Sequence, residues 1–224
     1  MIKAALFDMD GVLFDSMPSH ARAWYETMTS YGVECTPDDF YLFEGRTGSS
    51  TINIFFNKTF GRDASEEEIR EIYDKKSYRF TELESSNPMS GALEVLKKVG
   101  EHDIRHLIVT GSGQHSLFEK IDSYFPGFFH RERMVTAYDV KLGKPHPEPY
   151  LMGLEKAGVD ASEAIVIENA PLGVESGRAA GIYTIAVNTG PLSDQILLDA
   201  GANCLYPSMK ALAEDFDDLL TTLH

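Results

Sequence analysis

Cysteine is scarce in this sequence. The 224 residues include two cysteines, Cys35 and Cys204, and they form neither a CxxC pair nor a cluster with histidine. A disulfide-stabilised scaffold and a cysteine-ligated zinc site are therefore disfavoured. A chain of this kind suits a reducing compartment, and we expect it to be cytoplasmic.

Long apolar runs are also absent. No uninterrupted apolar segment approaches the ~18 residues that a membrane span requires. The apolar start of the chain meets Asp8 too early for the apolar region of a signal peptide. Low-complexity tracts and repeats are missing as well, which disfavours a disordered chain or a solenoid. We expect no membrane partner.

Positive charge is in short supply. There are 20 lysines and arginines against 35 aspartates and glutamates, a net charge of −15. Such a surface repels nucleic acid and anionic membranes, so we expect neither as a partner. It also repels a phosphorylated substrate, so a phosphate site in this chain needs local positive charge or a bound cation.

Short apolar runs do recur, and they alternate with helical patterns. The first is Ala4–Phe7, and Pro147 to Ala157 is one of the helical segments, with a proline suited to a first turn and Gly158 as a stop. Alternating strands and helices predict right-handed βαβ units and a mainly parallel sheet. The other strand-like runs lie at residues 107–109, 134–135, 164–167, 182–187 and 204–206.

One region breaks this alternation. From residue 16 to about residue 83 the pattern is helical throughout, and Ser65 with Glu68 forms a capping-box pattern. A helical block after the first strand predicts a cap inserted into a Rossmann-like α/β fold. We expect a core of residues 1–15 and 88–224, a cap of residues 16–87, and hinges near Asp15-Ser16 and Ser85–Pro88.

The strongest local signal is Asp8-Met9-Asp10-Gly11-Val12, which directly follows the first predicted strand. Ligands of open α/β sheets bind beyond the carboxyl ends of the strands. A carboxylate in the position of Asp8 can attack phosphorus, and Asp10 can protonate the leaving group. Two carboxylates repel a phosphate, so the pair also predicts a divalent cation such as Mg²⁺. The alternative is a pair of turn residues.

Three further polar segments each follow a predicted strand. Residues 110–113 (Thr-Gly-Ser-Gly) offer a hydroxyl and backbone N–H groups ahead of a helix, as a phosphate cradle does, or form an ordinary turn. Lys144 lies just before a helix and can neutralise a phosphate, or is a solvated surface lysine. Glu168-Asn169 can complete a metal site, or Asn169 caps a helix.

In order and position these segments resemble the four motifs of the haloacid dehalogenase superfamily, and the resemblance covers nearly the whole chain. It implies Asp8 as nucleophile and Asp10 as acid/base. Thr110 and Lys144 are the other catalytic residues that we predict, with Gly111 and Ser112 in contact with the substrate. The resemblance implies a Mg²⁺ ion held by Asp8, the carbonyl of Asp10, Glu168 and Asn169.

Within the superfamily the chain is most similar to the β-phosphoglucomutase-like branch, whose members carry a histidine at the hinge position of His20. Lys76, on a later cap helix, is a further candidate for a phosphate contact. The alternatives are an exposed helix histidine and a solvated lysine.

Two positions depart from that branch. The fourth motif ends in Asn169 where aspartate is usual, so the site carries one negative charge less. In the cap loop, mutases present a lysine before the glycine and an arginine three residues after it, and here those positions are Glu44 and Gly48. The stretch resembles that of pyrophosphate-hydrolysing members, and Glu44 suits a substrate that brings its own metal. Alternatively, Glu44 and Arg46 simply pair with each other at the surface.

These observations predict a monomeric, Mg²⁺-dependent phosphohydrolase of a small phosphorylated metabolite, with inorganic pyrophosphate as the favoured substrate. A β-phosphoglucomutase is the alternative enzyme. A phospho-accepting signalling module also places an aspartate beyond a parallel sheet, but it needs neither a cap nor Asp10. A binding protein on a degraded enzyme scaffold is disfavoured, because the chemical residues are all present.

Overall fold

Six strands form one parallel sheet in the computed structural model, which describes residues 1–83, 87–112 and 115–223. The spatial order is β3-β2-β1-β4-β5-β6, and every neighbouring pair is parallel. The predicted Rossmann-like sheet is confirmed. The strands are β1 (Ala4–Phe7), β2 (Arg105–Val109), β3 (Met134–Val135), β4 (Ala164–Glu168), β5 (Tyr183–Val187) and β6 (Cys204–Tyr206).

Four helices lie between β1 and residue 84, so the predicted helical insertion is also confirmed. They are α1 (Met17–Ser30), α2 (Asp39–Leu42), α3 (Gly48–Phe60) and α4 (Glu66–Leu83). The remaining helices flank the sheet: α5 (Ala92–Glu101), α6 (His115–Tyr124), α7 (Glu148–Ala157), α8 (Pro171–Ala179), α9 (Asp194–Asp199) and α10 (Met209–Thr222).

The two faces of the sheet are covered by different helices. Along β1, Ala5 and Phe7 belong to an apolar cluster that includes residues of α5 and α10, whereas Ala4 and Leu6 belong to a cluster that includes residues of α7. Successive residues of a strand point to opposite faces, so a strand buried on both faces reads as a continuous apolar run. This is why the sequence pattern located β1 and β4 so closely.

The cap has an apolar cluster of its own, drawn from α1, α3 and α4 and including Met28, Phe55 and Ile72. Its fourth helix begins with the predicted capping box. Ser65 N donates to Glu68 Oε2 at 2.7 Å, and Glu68 N donates to Ser65 Oγ at 3.1 Å. A separate core lets the cap keep its shape as a unit.

Two segments of the chain connect the cap to the sheet, and backbone hydrogen bonds link them to each other. Asp15 N donates to the carbonyl of Asn87 at 3.0 Å, and Met89 N donates to that of Leu13 at 2.8 Å. Of the predicted second hinge, Ser85 and the residue after it lie outside the described residues, so the hinge position stays a prediction. None of the described helices is long and apolar enough to span a membrane.

Candidate active site

Asp8 and Lys144 meet at the carboxyl edge of the sheet. Asp8 directly follows β1, and its backbone N–H donates to the carbonyl of Ile167 at 3.0 Å, so the position is still held by the sheet. Lys144 Nζ donates to Asp8 Oδ1 and to Glu168 Oε1, both at 2.5 Å. The side chain of Lys144 is 1% exposed, so the solvated-lysine alternative is wrong.

Burial dominates the electrostatics of this pair. It raises the pKa of Asp8 to about 8, although the ammonium of Lys144 acts in the opposite direction. Burial also lowers the pKa of Lys144, but the carboxylates of Asp8 and Glu168 outweigh it and raise that pKa above its usual value. The lysine is therefore cationic, and the acidic groups around it exceed the charge that it can neutralise.

Glu168 is held by donors on both of its oxygens. Oε1 accepts from Lys144 and from the hydroxyl of Tyr150 at 2.7 Å, while Oε2 accepts from the N–H groups of Asn169 and Ala170 at 3.1 and 3.3 Å. Tyr150, wholly buried on α7, was missed by the sequence reasoning. Its position six residues after Lys144, in the first turn of α7, was the available signal.

A second buried network surrounds Asp10. Ser16 Oγ donates to Asp10 Oδ1 at 2.5 Å, and His20 Nε2 lies 3.2 Å from the same oxygen. The other ring nitrogen of His20, Nδ1, lies 2.7 Å from Lys76 Nζ. His20 and Lys76 are only 7% and 3% exposed, so the exposed-histidine and solvated-lysine alternatives are wrong.

The pKa values in this network are set by burial and by the neighbouring charged and hydrogen-bonding side chains. Burial lowers the pKa of Lys76 to about 7, against the attraction of the Asp10 carboxylate. Burial raises the pKa of Asp10, but His20 and Ser16 more than offset it and hold that pKa below its usual value. Lys76 Nζ also lies 5.1 Å from the ring centroid of Trp24, a cation–π contact.

Glu44 carries the contact between the cap loop and the fourth motif. The side-chain amide of Asn169 donates to both carboxylate oxygens of Glu44, at 3.0 and 3.1 Å. Burial and the neighbouring Asp8 raise the pKa of Glu44 well above its usual value. The predicted alternative of a Glu44–Arg46 surface pair is not found among the described residues; Arg46 Nη1 instead donates to Ser50 Oγ at 3.3 Å.

The cap loop passes directly over the core. Gly45 has a φ of 86°, and a Cβ there would lie 2.9 Å from Lys144 Cδ. A Cβ on Gly111 would lie 2.5 Å from the carbonyl oxygen of Gly45. In the predicted cradle, the N–H of Ser112 donates to Thr110 Oγ1 at 3.0 Å, whereas its last residue, Gly113, lies outside the described residues.

Tyr73 fills the space above Gly48. A Cβ on Gly48 would lie 2.3 and 2.4 Å from two carbons of the Tyr73 ring, so a longer side chain does not fit. The position at which mutases carry arginine is thus occupied by a ring from α4. In the sequence, Tyr73 is one of the positions of the helical pattern of the predicted cap, and it lies one turn before Lys76 on the same face.

One cavity of about 70 Å³ gathers most of the predicted site. Among the predicted residues, its lining includes Asp8, Asp10, His20, Glu44, Arg46, Lys76, Thr110, Gly111 and Ser112. The other three, Lys144, Glu168 and Asn169, do not line it. Lys144 and Asn169 are hydrogen-bonded to Asp8 and Glu44, which do, and Glu168 is hydrogen-bonded to Lys144. Trp24 and Tyr73 complete the wall on the cap side.

The residues present fit a divalent cation, although no group of three His, Cys, Asp or Glu in the described part of the chain forms a ready-made metal cluster. Asn169 Oδ1 is buried and has no hydrogen-bond partner among the described residues. It is an oxygen donor beside carboxylates that carry more charge than Lys144 neutralises, which is the chemistry that Mg²⁺ requires. The ligand set of Asp8, Asp10, Glu168 and Asn169 stays a prediction.

Comparison with known families identifies the fold and its chemistry. The family model of haloacid dehalogenase-like hydrolases matches residues 5–187, which include every predicted site residue. The chain belongs to this family. Its geometry and relatives support a phosphatase or phosphotransferase, and they favour an enzyme over the signalling module.

The relatives of this chain include two proteins that are named as phosphatases. It is 32% identical over 210 residues to a phosphorylated carbohydrates phosphatase of Thermotoga maritima, covering 91% of this chain and 94% of that protein. It is 34% identical over 188 residues to hexitol phosphatase A of Escherichia coli, covering 83% of each. A Bacteroides vulgatus structure with the provisional name β-phosphoglucomutase is 52% identical, with a TM-score of 0.96 over 99% of this chain and 90% of that one.

Proposed function

We propose that this protein is a Mg²⁺-dependent phosphohydrolase that works through an aspartyl-phosphate on Asp8 and prefers inorganic pyrophosphate. The observation that carries the proposal is the placement of Glu44, a carboxylate from the cap, against Asn169 and close to Asp8. A bare phosphate is repelled by a carboxylate in a low-dielectric site. A substrate that arrives with its own cation removes that repulsion.

The chemistry uses two carboxylates in sequence. The Asp8 carboxylate attacks the phosphorus, and the bond from phosphorus to the leaving oxygen breaks while Asp10 gives that oxygen a proton. Asp10 then takes a proton from the water that cleaves the aspartyl-phosphate and releases phosphate. Lys144, 2.5 Å from Asp8 Oδ1, offsets charge at the nucleophile. The predicted Mg²⁺ ion, when bound, shields the carboxylates and the phosphoryl oxygens from each other.

The size of the cavity supports a small substrate. About 70 Å³ is room for roughly five waters, since each requires ~10–15 Å³ of such space. The ring of Tyr73 takes the volume that an arginine at position 48 would need. Position 48 therefore supplies no cation for the distal phosphate of a sugar bisphosphate. This weighs against a mutase.

Hydrolysis of carbohydrate phosphates is the second candidate. It is favoured by the activities named for the two phosphatase relatives, which are 32% and 34% identical to this chain. Both candidates use the same two carboxylates and differ in what the cap admits. The mutase named for the Bacteroides vulgatus structure is a third, which interconversion of hexose 1- and 6-phosphates would reveal.

Substitution of Glu44 separates these candidates. With Mg²⁺, kcat/KM should be highest for pyrophosphate, and Glu44→Gln should lower it by about ten- to a hundredfold, because charge-assisted hydrogen bonds contribute roughly 1.5–3 kcal/mol. Hydrolysis of a hexose monophosphate should change less. Glu67→Gln, an exposed glutamate of the same cap, is the matched control. An unchanged ratio of the two kcat/KM values in Glu44→Gln would refute the role of Glu44.

A further inference from the structure

A second cavity lies beside the active site, and we call it the outer groove. It encloses about 510 Å³. Arg46, Thr47 and Ser50 line it from the cap, and Lys141 and His146 line it from the segment between β3 and α7. Arg46 lines the active-site cavity as well, so this side chain lies between the two spaces.

The outer groove is basic in a chain whose net charge is −15. Arg46, Lys141 and His146 line it, and no described carboxylate does. The carboxylate beside it, Glu148, accepts hydrogen bonds from the backbone N–H groups of Lys141 and Leu142 at 2.9 and 3.0 Å and lies 4.0 Å from His146 Nδ1. The cationic side chains of Arg46 and Lys141 thus exceed the local negative charge.

Arg46 has donor capacity to spare. Its Nε is buried and has no hydrogen-bond partner among the described residues, and its Nη1 contacts Ser50 Oγ only at 3.3 Å. Within the described ranges, the ammonium of Lys141 forms no ion pair. A guanidinium is suited to bidentate binding of an oxyanion. The N-terminus of α3, capped by Thr47, adds partial positive charge on the same side.

We propose that the outer groove is a second anion site, which binds inorganic phosphate between the cap and the core. Because the cations come from both parts of the molecule, a phosphate that contacts both favours the arrangement in which they are together. The proposal rests on the proposed function in one respect, since phosphate is then the product of the reaction. Bound product would hold the cap closed and slow the release that follows each turnover.

A chelator separates the two sites. Without Mg²⁺ the active site lacks the cation that the proposed function requires there, and its Lys144 is already paired with Asp8 and Glu168, whereas the outer groove needs no metal. Titration calorimetry with inorganic phosphate in EDTA at low ionic strength should therefore give one phosphate per chain. Lys141→Ala should weaken this binding about tenfold, the loss of one charge-assisted contact. Lys58→Ala, a cap lysine that does not line the groove, should leave it unchanged.

Trp24 provides a second readout, because it is the only tryptophan and lines the active-site cavity on the cap side. Phosphate in EDTA should change its fluorescence in the wild type and in Lys58→Ala but not in Lys141→Ala. With Mg²⁺ and substrate, phosphate inhibition should be mixed in the wild type and competitive in Lys141→Ala.

No phosphate binding in EDTA, or equal binding by wild type and Lys141→Ala, would overturn the proposal. A chain that fails to hydrolyse pyrophosphate yet binds phosphate through Lys141 would instead refute the proposed substrate and leave the groove in place.

Discussion

Asp8 is the residue on which the chemistry depends, and its surroundings favour a covalent role. It is 5% exposed, it follows β1, and its carboxylate is within 2.5 Å of a buried ammonium. An aspartate that served only in a structural ion pair would not need to lie at the carboxyl edge of the sheet, to line a cavity or to have a second carboxylate two residues away. Asp8 has all three, since the cavity is lined by both Asp8 and Asp10.

Asp8→Asn should reduce turnover by several orders of magnitude, because an amide cannot attack phosphorus. The fold should survive, since the two side chains have the same shape and Lys144 retains Glu168 as a partner. Steady-state kinetics measures the loss of turnover, and circular dichroism checks that the variant is folded. Turnover within about tenfold of the wild type would remove Asp8 as nucleophile.

Tyr73 is a second single residue with a specific role, because its ring limits the size of the substrate. Tyr73→Ala should open the space above Gly48, so kcat/KM for a hexose monophosphate should rise relative to that for pyrophosphate, by about tenfold if one apolar contact no longer excludes the sugar. Tyr78→Ala is the control, because Tyr78 is on the same helix and is 69% exposed. Equal substrate profiles for the two variants would contradict the steric role.

At the scale of the element, α4 buries a lysine at a cost. Lys76 lies against Trp24, Phe80 and His20, and burial lowers its pKa to about 7 from 10.5. Between these pKa values the unfolded chain binds a proton that the folded chain does not, so this group makes stability rise with pH from about 7 to 10.5. Below that range the free-energy cost of burying the charged lysine is present in full.

Lys76→Met should therefore stabilise the fold while impairing catalysis. The gain should be largest at pH 6–7 and should shrink as pH approaches 10; each 1 kcal/mol is worth roughly 2–4 °C in Tm for a chain of this size. Thermal unfolding between pH 6 and 10 measures it. Lys75→Met, at the adjacent exposed lysine, should show no such pH-dependent gain, and a gain of equal size there would contradict the burial argument.

At the scale of the whole molecule, the site gathers more negative charge than the fold neutralises. Burial raises the pKa of Asp8 to about 8 from 3.8, so between these values the folded chain binds a proton that the unfolded chain does not. This group makes the stability of the metal-free protein fall as pH rises from about 4 to 8. A bound cation would replace the proton and remove that loss.

Mg²⁺ should accordingly raise Tm more at pH 8 than at pH 5, and EDTA should reverse the effect. A ligand that binds only the folded state at a hundred times its Kd stabilises it by about 2.7 kcal/mol. Differential scanning fluorimetry with Mg²⁺ and with Na⁺ at equal ionic strength separates binding from screening. Equal Tm values with the two cations at pH 8 would contradict a metal site.

The sequence by itself determined the sheet, the insertion and the four motifs. Strands buried on both faces appear as apolar runs, and the carboxyl ends of parallel strands bring Asp8, Thr110 and Glu168 to one edge whatever the helices do. Those residues lie next to the strands in the chain, so the local pattern carried their position. The capping box at Ser65 was predictable for the same reason, since its partners are three residues apart.

Only the tertiary structure decided how the cap meets the core. The contact of Glu44 with Asn169 joins positions 125 residues apart, and that of His20 with Lys76 joins positions 56 apart. Whether Gly48 leaves room for a substrate depends on the ring of Tyr73, which belongs to another helix. No local pattern encodes such pairs, because they depend on the packing of one apolar core against another. The sequence specified the chemistry, and the packing of the cap determined the space in which it occurs.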